Sequence, residues 1–336
     1  MSTRPIVLIT GGTGFLGSHI ISQLLAQGSY TVRAVARSAN KLKSIFPNAS
    51  VDQLQVIEIP TLTSDFTDAL KNVTAVVHAA SPIKDEGKQI LEGAYYGTIH
   101  IVNQAIAAGV KKIVITGTFA SLLDGDFKAG FGTKLITEKS FGNFTIEEVD
   151  LENPNVMAIY HAAKTLADKK VWEIAHQHTG VDITVLLPPA ILGPYVPNFP
   201  INSRDSLGTN DFVYSLIVNG TDSYSQVIPV GHMIDVRDAA RAHLLALSTG
   251  RIPGSDKRFI ISARSFTWKE FADLYRKERP ELKDRLPRED VKQGFEQTSA
   301  PLDVDFANDA LGMGEYIDWK ETALAALDAT LILERK

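Results

Sequence analysis

Residues 6–17 read Ile6-Val7-Leu8-Ile9-Thr10-Gly11-Gly12-Thr13-Gly14-Phe15-Leu16-Gly17. Four consecutive apolar residues predict a strand without a polar face, which is typical of a parallel sheet covered by helices on both sides. The apolar residues that follow, at Ile20, Ile21, Leu24 and Leu25, predict a helix that runs to about Gln27. A strand, a glycine-rich turn and a helix in this order predict a Rossmann-type, doubly wound α/β fold.

Three glycines of this turn have separate structural roles. Gly11 permits the tight turn, Gly14 lets a pyrophosphate approach the backbone, and Gly17 lets the helix pack against the strand. The helix start also presents free N–H groups and the positive end of its dipole to an anion. The turn therefore predicts a dinucleotide site. Further contacts with the phosphates are expected at Thr13, Phe15 and Leu16.

Patterns typical of strands and helices alternate as far as Pro189, as a doubly wound sheet requires. Strands are predicted at 30–37, 54–59, 75–80, 111–116 and 181–187, and long helices at 87–108 and 156–179. Loops and short helices follow over 193–229, then a helix over 239–247, a strand at 259–261, and helices over 268–277 and 321–333. We expect an NADP-binding Rossmann domain from residues 1–189 and about 231–262. A smaller substrate-binding cap takes about 190–230 and 263–336.

Basic residues replace an acid at the second predicted strand. A unit specific for NAD places an Asp or Glu near the end of this strand, where it binds the ribose 2′-OH. The chain has no Asp or Glu from Ser18 through Val51, and it carries Arg33, Arg37, Lys41 and Lys43 there. We therefore predict NADP as the cofactor, with Arg37 on its 2′-phosphate and Lys41 or Lys43 assisting.

Small residues follow the fourth predicted strand, at Ala79, Ala80 and Ser81. Their short side chains allow a cofactor ribose to lie close over the strand end, so all three are placed in the cofactor site. His78, at the end of the same strand, is interpreted as a packing residue and not as a catalyst.

Tyr160 and Lys164 are four residues apart in a predicted helix and therefore share one face. Reduction of a carbonyl by hydride needs a proton for the developing alkoxide, and a free phenol with a pKa of about 10 is a slow donor at neutral pH. Lowering that pKa to about 7 requires about 4 kcal/mol, which an ammonium about 4 Å away supplies at an effective dielectric of about 20. The pair predicts a reductase site, in which the Thr118 hydroxyl holds the carbonyl oxygen.

Together these motifs resemble the extended short-chain dehydrogenases/reductases, nearest to the group of dihydroflavonol reductases, cinnamoyl-CoA reductases and fungal aldehyde/ketone reductases. The resemblance rests on Thr10–Gly17, Tyr30–Arg37, Val77–Pro82, Tyr160 with Lys164, Pro188–Pro194 and Asp235–Asp238. It implies Tyr160 as the proton donor, Lys164 as ribose ligand and pKa-lowering charge, and Thr118 as the family's Ser/Thr. The cofactor contacts expected outside the glycine turn are Arg37, Lys41, Leu62, Ala79, Ala80, Ser81, Thr116, Tyr160, Lys164, Pro188, Ala190 and Ile191.

Three positions depart from the family pattern. The chain has Thr116-Gly117-Thr118 where the family usually has Thr-Ser-Ser, so the site hydroxyl carries an additional methyl group. Pro60-Thr61-Leu62 replaces the acid that often meets the adenine after the third strand. Ala94 replaces an Asn that is common three residues before Gly97, which weakens the case for a fourth catalytic residue.

The expected function is NADPH-dependent reduction of an aldehyde or ketone to an alcohol, reversible in principle. Hydrophobic or aryl carbonyl substrates are favoured over charged sugars because the predicted pocket is apolar. Its lining is expected from Ser81 and from some of Phe119, Ala190, Tyr195, Phe199, Phe212 and Tyr214. Two alternatives stay open: a nucleotide-sugar epimerase or dehydratase, which the basic second strand disfavours, and a non-catalytic NADP-sensing regulator, which the Tyr160/Lys164 pair disfavours.

Composition sets outer limits on function. The chain of 336 residues has 34 Lys and Arg against 39 Asp and Glu, a net charge of −5, so no general attraction to nucleic acid or membrane is implied. The absence of Cys excludes disulfides, zinc-thiolate sites and a Cys nucleophile, and no metal is expected. Residues 1–5 leave no room for a signal peptide, and no apolar run has the length of a membrane span. We expect a cytoplasmic monomer or homodimer.

Overall fold

The computed structural model describes residues 4–82, 86–224, 231–292 and 298–335. Its strands are β1 (Ile6–Thr10), β2 (Thr31–Ala36), β3 (Leu54–Glu58), β4 (Val73–His78), β5 (Lys112–Thr116), β6 (Asp182–Leu187), β7 (Ala190–Leu192), β8 (His232–Asp235), β9 (Lys257–Ile260) and β10 (Arg264–Ser265). Within these ranges, seven parallel strands form the main sheet in the order β3-β2-β1-β4-β5-β6-β9. A small second sheet has the order β10-β8-β7. The predicted doubly wound fold is confirmed.

Helices cover both faces of the main sheet and form the cap. They are α1 (Phe15–Gln27), α2 (Ala39–Ile45), α3 (Gly87–Leu91), α4 (Thr98–Ala107), α5 (Val156–Gln177), α6 (Asp211–Val218), α7 (Val236–Ser248), α8 (Trp268–Glu278), α9 (Asp305–Leu311) and α10 (Trp319–Thr330). The helix predicted over 87–108 is interrupted by a π-helical stretch at Glu92–Gly97. No helix in the described ranges is long and apolar enough to cross a bilayer.

The alternation of side chains along β1 explains why its whole apolar run is needed. Leu8 belongs to the core under α4 and α5, which also contains Ile101 and Val171. Val7 and Ile9 face the opposite way, into the core under α1 and α7. Both faces of the strand are therefore buried, as expected for a sheet covered on two sides.

The cap has a separate aromatic core and a polar connection to the sheet layer. Phe271 and Tyr275 of α8 are fully buried in this core. The Asp235 carboxylate accepts the N–H of Arg237 at the start of α7 (2.8 Å) and also the hydroxyl of Thr322 on α10 (2.8 Å). The predicted domain division stays a prediction. α9 packs on the sheet layer, because Phe306 lies 4.7 Å from Phe259 between ring centroids.

Candidate active site

Backbone contacts that only glycine permits build the turn between β1 and α1. Gly11 has φ 78°, and a Cβ there would lie 2.7 Å from the backbone nitrogen of Ala80. A Cβ at Gly17 would overlap the Gly11 carbonyl oxygen. α1 has no side-chain cap and no acidic residue in its first turn. Its first N–H groups and its positive dipole end therefore fit a pyrophosphate.

The basic residues on β2 and directly after it differ in their exposure to solvent. Arg37 follows the strand directly, and its exposed guanidinium has no ion pair or hydrogen bond with the part of the chain that the structure describes. Lys41, one helical turn further along, is also exposed. Arg33 is buried instead, and donates to Gln55 (2.9 Å) and to backbone carbonyls that precede β4. The Arg33 guanidinium is therefore occupied within the protein, whereas Arg37 and Lys41 are free to meet a phosphate.

His78 has protein partners for both ring nitrogens. The Thr98 hydroxyl donates to the Ala94 carbonyl (2.8 Å), so it accepts from His78 Nε2–H (3.1 Å). His78 Nδ1 then accepts from the Thr10 hydroxyl (2.8 Å). Burial lowers the pKa of His78 to about 3, so the ring stays neutral. His78 connects β1, β4 and α4, in agreement with its interpretation as a packing residue.

A buried hydroxyl lies at the strand end that was predicted to carry the ribose. Ser81 Oγ is shielded from solvent and has no hydrogen-bond partner among the described residues. Ala79 and Ala80 precede it and add no bulk beyond one methyl group each. Buried polar groups in proteins nearly always have a partner, so an unpartnered one here fits a polar group of a bound molecule.

Lys164 is held by the end of β5. Its side chain is buried, and its Nζ donates to the Thr116 carbonyl oxygen (2.8 Å). The Thr116 hydroxyl donates in turn to His243 Nε2 (2.8 Å), because His243 Nδ1–H binds the Ala239 carbonyl (2.7 Å). Burial lowers the pKa of Lys164 to about 8, and the Asp168 carboxylate opposes that shift. Lys164 is thus charged at neutral pH, and Thr116 acts as its anchor.

Tyr160 lies one helical turn before Lys164 and is half-buried. Its hydroxyl makes no hydrogen bond to the residues that the structure describes, and burial raises its pKa to about 12. Burial is the cause of this shift, and the lowering of the pKa to about 7 by Lys164 stays a prediction. The phenol is therefore neutral, and its proton is available to a ligand.

Thr118 and Tyr160 are held together through a histidine that the sequence analysis missed. Thr118 Oγ1 accepts the Ala120 N–H (3.2 Å) and caps the short 3-10 helix Phe119–Leu122, which leaves the hydroxyl proton of Thr118 available. His161, next to Tyr160 on α5, has its Nε2 2.6 Å from the Ala120 carbonyl oxygen and 3.0 Å from that of Leu123. This contact ties the start of α5 to the segment that carries Thr118.

The aromatic residues predicted to bind the substrate pack against other parts of the protein, and their role in binding stays a prediction. Tyr195 and Phe199 stack on each other (5.0 Å), and the Tyr195 hydroxyl donates to the Leu207 carbonyl (2.8 Å). Phe119 is buried in the sheet core, and both Phe212 and Tyr214 pack against the cap core. Ser81 lies at the strand end described above. The buried Ser81 hydroxyl has no hydrogen-bond partner among the described residues.

A cavity of about 950 Å³ has neither Tyr160 nor Lys164 in its lining. It lies between residues 194–202 and the end of α10, with Arg279 and Asp328 on its rim. Tyr195 and Phe199 line it.

A model of the NAD dependent epimerase/dehydratase family matches residues 7–261. This chain belongs to that family. The resemblance to the extended short-chain dehydrogenases/reductases is thereby confirmed. A putative uncharacterized oxidoreductase of Schizosaccharomyces pombe is 32% identical over 292 residues, covering 83% of this chain and 84% of the relative. A putative NADPH-dependent methylglyoxal reductase of Candida albicans is 28% identical over 347 residues, covering 96% and 97%.

Solved structures show the same fold as this member of the epimerase/dehydratase family. The crystal structure of yeast methylglyoxal/isovaleraldehyde reductase Gre2 complexed with NADPH matches with a TM-score of 0.81 at 24% identity, covering 98% of this chain and 99% of that one. A UDP-glucose 4-epimerase from Bifidobacterium longum matches with a TM-score of 0.69 at 17% identity, covering 97% and 98%. The fold therefore accommodates both chemistries, and the choice between them depends on the site.

Two further buried ionisable groups in this family member were missed from the sequence. Asp168 and Arg258 form an ion pair, with Asp168 Oδ2 2.7 Å from Nη2 and 3.0 Å from Nε of Arg258. A signal for Asp168 was present, because it lies four residues after Lys164 and so shares its helix face. Arg258 had no such signal, since it arrives from β9, far along the chain.

Proposed function

We propose that this chain is an NADPH-dependent reductase of aldehydes and ketones, with Tyr160 as the proton donor. The observation that carries the proposal is the free Tyr160 hydroxyl, one helical turn from the buried Lys164 ammonium. The name of the Candida albicans relative, an NADPH-dependent methylglyoxal reductase, supports carbonyl reduction. The unpaired Arg37 supports NADPH over NADH.

The cofactor, when bound, supplies a hydride to the carbonyl carbon of the substrate. The chain's own residues deal with the carbonyl oxygen, on which negative charge develops as the carbon–oxygen double bond becomes a single bond. Thr118 donates its free hydroxyl proton in a hydrogen bond to this oxygen. Tyr160 transfers its proton to the same oxygen, which yields the alcohol and leaves a phenolate.

Lys164 acts on that phenolate more than on the resting phenol. Bringing the pKa from about 12 to about 7 would require about 7 kcal/mol. An ammonium about 4 Å away would supply only about 4 kcal/mol at an effective dielectric of about 20, which is too little to make the phenolate the resting form. Tyr160 is therefore protonated at neutral pH, as a reductase needs. Lys164 stabilises the phenolate once the proton has left.

Fewer observations support the proposed preference for hydrophobic or aryl carbonyls. Small apolar residues at the strand ends, Ala79, Ala80 and Ala190, leave an uncharged surface for the substrate. The predicted aromatic residues contribute no further support, because they pack against other side chains of the protein.

The test is NADPH consumption, followed by its near-ultraviolet absorbance, with aliphatic and aryl aldehydes, ketones and dihydroflavonols. The expected result is one alcohol formed for each NADPH oxidised, with NADH a poorer donor. A matched reaction with UDP-sugars checks the alternative on the same fold. Interconversion of sugars without net cofactor consumption would replace the proposal by an epimerase, and NADPH binding without any turnover would replace it by a sensor.

A further inference from the structure

A small cavity of about 10 Å³ lies against Lys164, deep to the catalytic residues on α5. That volume accommodates one water molecule. Its apolar walls come from Ile115, Ala167, Val171 and Val185. Its polar walls come from Lys164, Asp168 and Thr98. A site of this size with polar groups on several sides meets the conditions for a buried water.

The hydrogen-bonding capacity around the cavity is incompletely used. Lys164 Nζ has three donor positions, and the Thr116 carbonyl takes one of them. Asp168 Oδ2 accepts two hydrogen bonds from Arg258, and Oδ1 accepts one from Trp172 Nε1 (3.2 Å), which leaves one further lone pair on Oδ1. Lys164 and Asp168 form no direct ion pair. A water between them has a donor on one side and an acceptor on the other.

We propose that this cavity holds one water molecule linking Lys164 Nζ to Asp168, and that Asp168 is a positioning residue that keeps the Lys164 ammonium charged. The consequence for turnover rests on the proposed function of Lys164, whereas the charge state of Lys164 does not. Asp168 touches neither substrate nor cofactor in this proposal. It acts only through Lys164.

Among the charged and titratable groups around Lys164, Asp168 is the one that favours the charged ammonium. Tyr160 on α5 is neutral, with its pKa raised to about 12, and His78 on β4 is neutral, with its pKa lowered to about 3. Arg258 on β9 is cationic and is bound directly to Asp168. Burial disfavours both the Lys164 ammonium and the Asp168 carboxylate, and each charge opposes the shift of the other.

The test measures the ionisation of Lys164 directly, in protein without substrate. The ¹³Cε shift of Lys164 is followed against pH in lysine-labelled protein, with the signal assigned by its loss in Lys164→Met. The wild-type midpoint is expected at about 8. In Asp168→Asn, which keeps the shape and removes the charge, the midpoint should fall by about one pH unit. Trp172→Phe is the matched control, because it removes a hydrogen bond to Asp168 and keeps every charge.

An equal midpoint in Asp168→Asn and wild type would overturn the role of Asp168, as would an equal fall in Trp172→Phe. Val171→Ile tests the water independently, and it remains available if Asp168→Asn does not fold. The added methyl group fills the cavity without changing a charge, so expulsion of the water should lower the Lys164 midpoint. An unchanged midpoint in this variant would overturn the water link.

The same variants connect the inference to turnover. If the proposed function holds, the alkaline limb of kcat/KM for carbonyl reduction should move with the NMR midpoint, while a purely structural role would change kcat at all pH values alike. If the midpoint shifts in Asp168→Asn but the wild type reduces no carbonyl, the proposed function is contradicted and the role of Asp168 is supported.

Discussion

Tyr160→Phe removes one hydroxyl group and leaves the ring in place on α5. That hydroxyl makes no hydrogen bond to the residues that the structure describes, so its removal breaks no internal contact. We expect the free energy of unfolding to change by less than about 0.5 kcal/mol, as for other substitutions that disturb no packing or polar network. A loss of activity in this variant therefore reports on chemistry and not on folding.

The expected loss is large because the phenol is the proposed source of the proton. Removal of one positioned acid costs roughly 10²–10⁴-fold in rate, equivalent to about 2.7–5.5 kcal/mol of transition-state stabilisation. Affinity for NADPH should change by less than about twofold, because the glycine turn and Arg37, which are the proposed phosphate contacts, are untouched. The signature is thus a fall in kcat at nearly constant cofactor affinity.

Single-turnover reduction of an aldehyde, followed by NADPH absorbance, measures the chemical step, and a fluorescence titration measures NADPH binding. Urea unfolding of the same preparation supplies the folding control. A Tyr160→Phe protein that reduces carbonyls at the wild-type rate would refute the reasoning. One that loses NADPH binding and keeps its rate per bound cofactor would give Tyr160 a structural role.

Three further outcomes are expected. Arg37→Ala should weaken NADPH binding roughly 10- to 100-fold and NADH binding little, since a charge-assisted hydrogen bond contributes about 1.5–3 kcal/mol; equal losses in the two titrations would remove Arg37 from the 2′-phosphate. Lys164→Met should lower kcat and NADPH affinity together, if the ammonium meets both the phenolate and the ribose; a change in only one of the two would assign it a single partner. His243 has its pKa lowered to about 4 by burial, so the unfolded chain binds more protons as the pH falls below about 6.5 and stability is lost there. Between about pH 7 and about pH 5, the free energy of unfolding measured in urea should fall by about 2 kcal/mol less in His243→Gln than in the wild type. An identical fall in both proteins would contradict the buried neutral ring.

The fold could be predicted because its signals are local. The apolar run of β1, the glycine turn and the periodicity of α1 lie within about 25 consecutive residues, and the structure has them where the sequence placed them. The π-helical stretch at Glu92–Gly97 could not be predicted, because its partner is distant. A Cβ at Gly97 would lie 2.6 Å from the Cβ of Leu62, so the irregular helix accompanies a close approach to the segment after β3.

The site was predictable only as far as residue types and spacing reach. Tyr160 and Lys164 share a helix face, which spacing alone establishes. Their pKa values depend on burial and on tertiary partners, the Thr116 carbonyl for Lys164 and the surrounding protein for Tyr160. The packing of the predicted substrate aromatics could not be predicted for a related reason, because the sequence does not reveal which core an aromatic side chain near a strand end joins.

Reduction and epimerisation, the two reactions known on this fold, need different starting protonation states of the tyrosine. An epimerase begins by removing a proton from a sugar hydroxyl, so its tyrosine has to be a phenolate before the first step. A reductase begins with a protonated phenol and transfers that proton to the carbonyl oxygen of the substrate. Burial raises the pKa of Tyr160 to about 12, so the phenolate is the minor form at neutral pH. In the proposed function, Tyr160 therefore starts in the protonated state that carbonyl reduction requires.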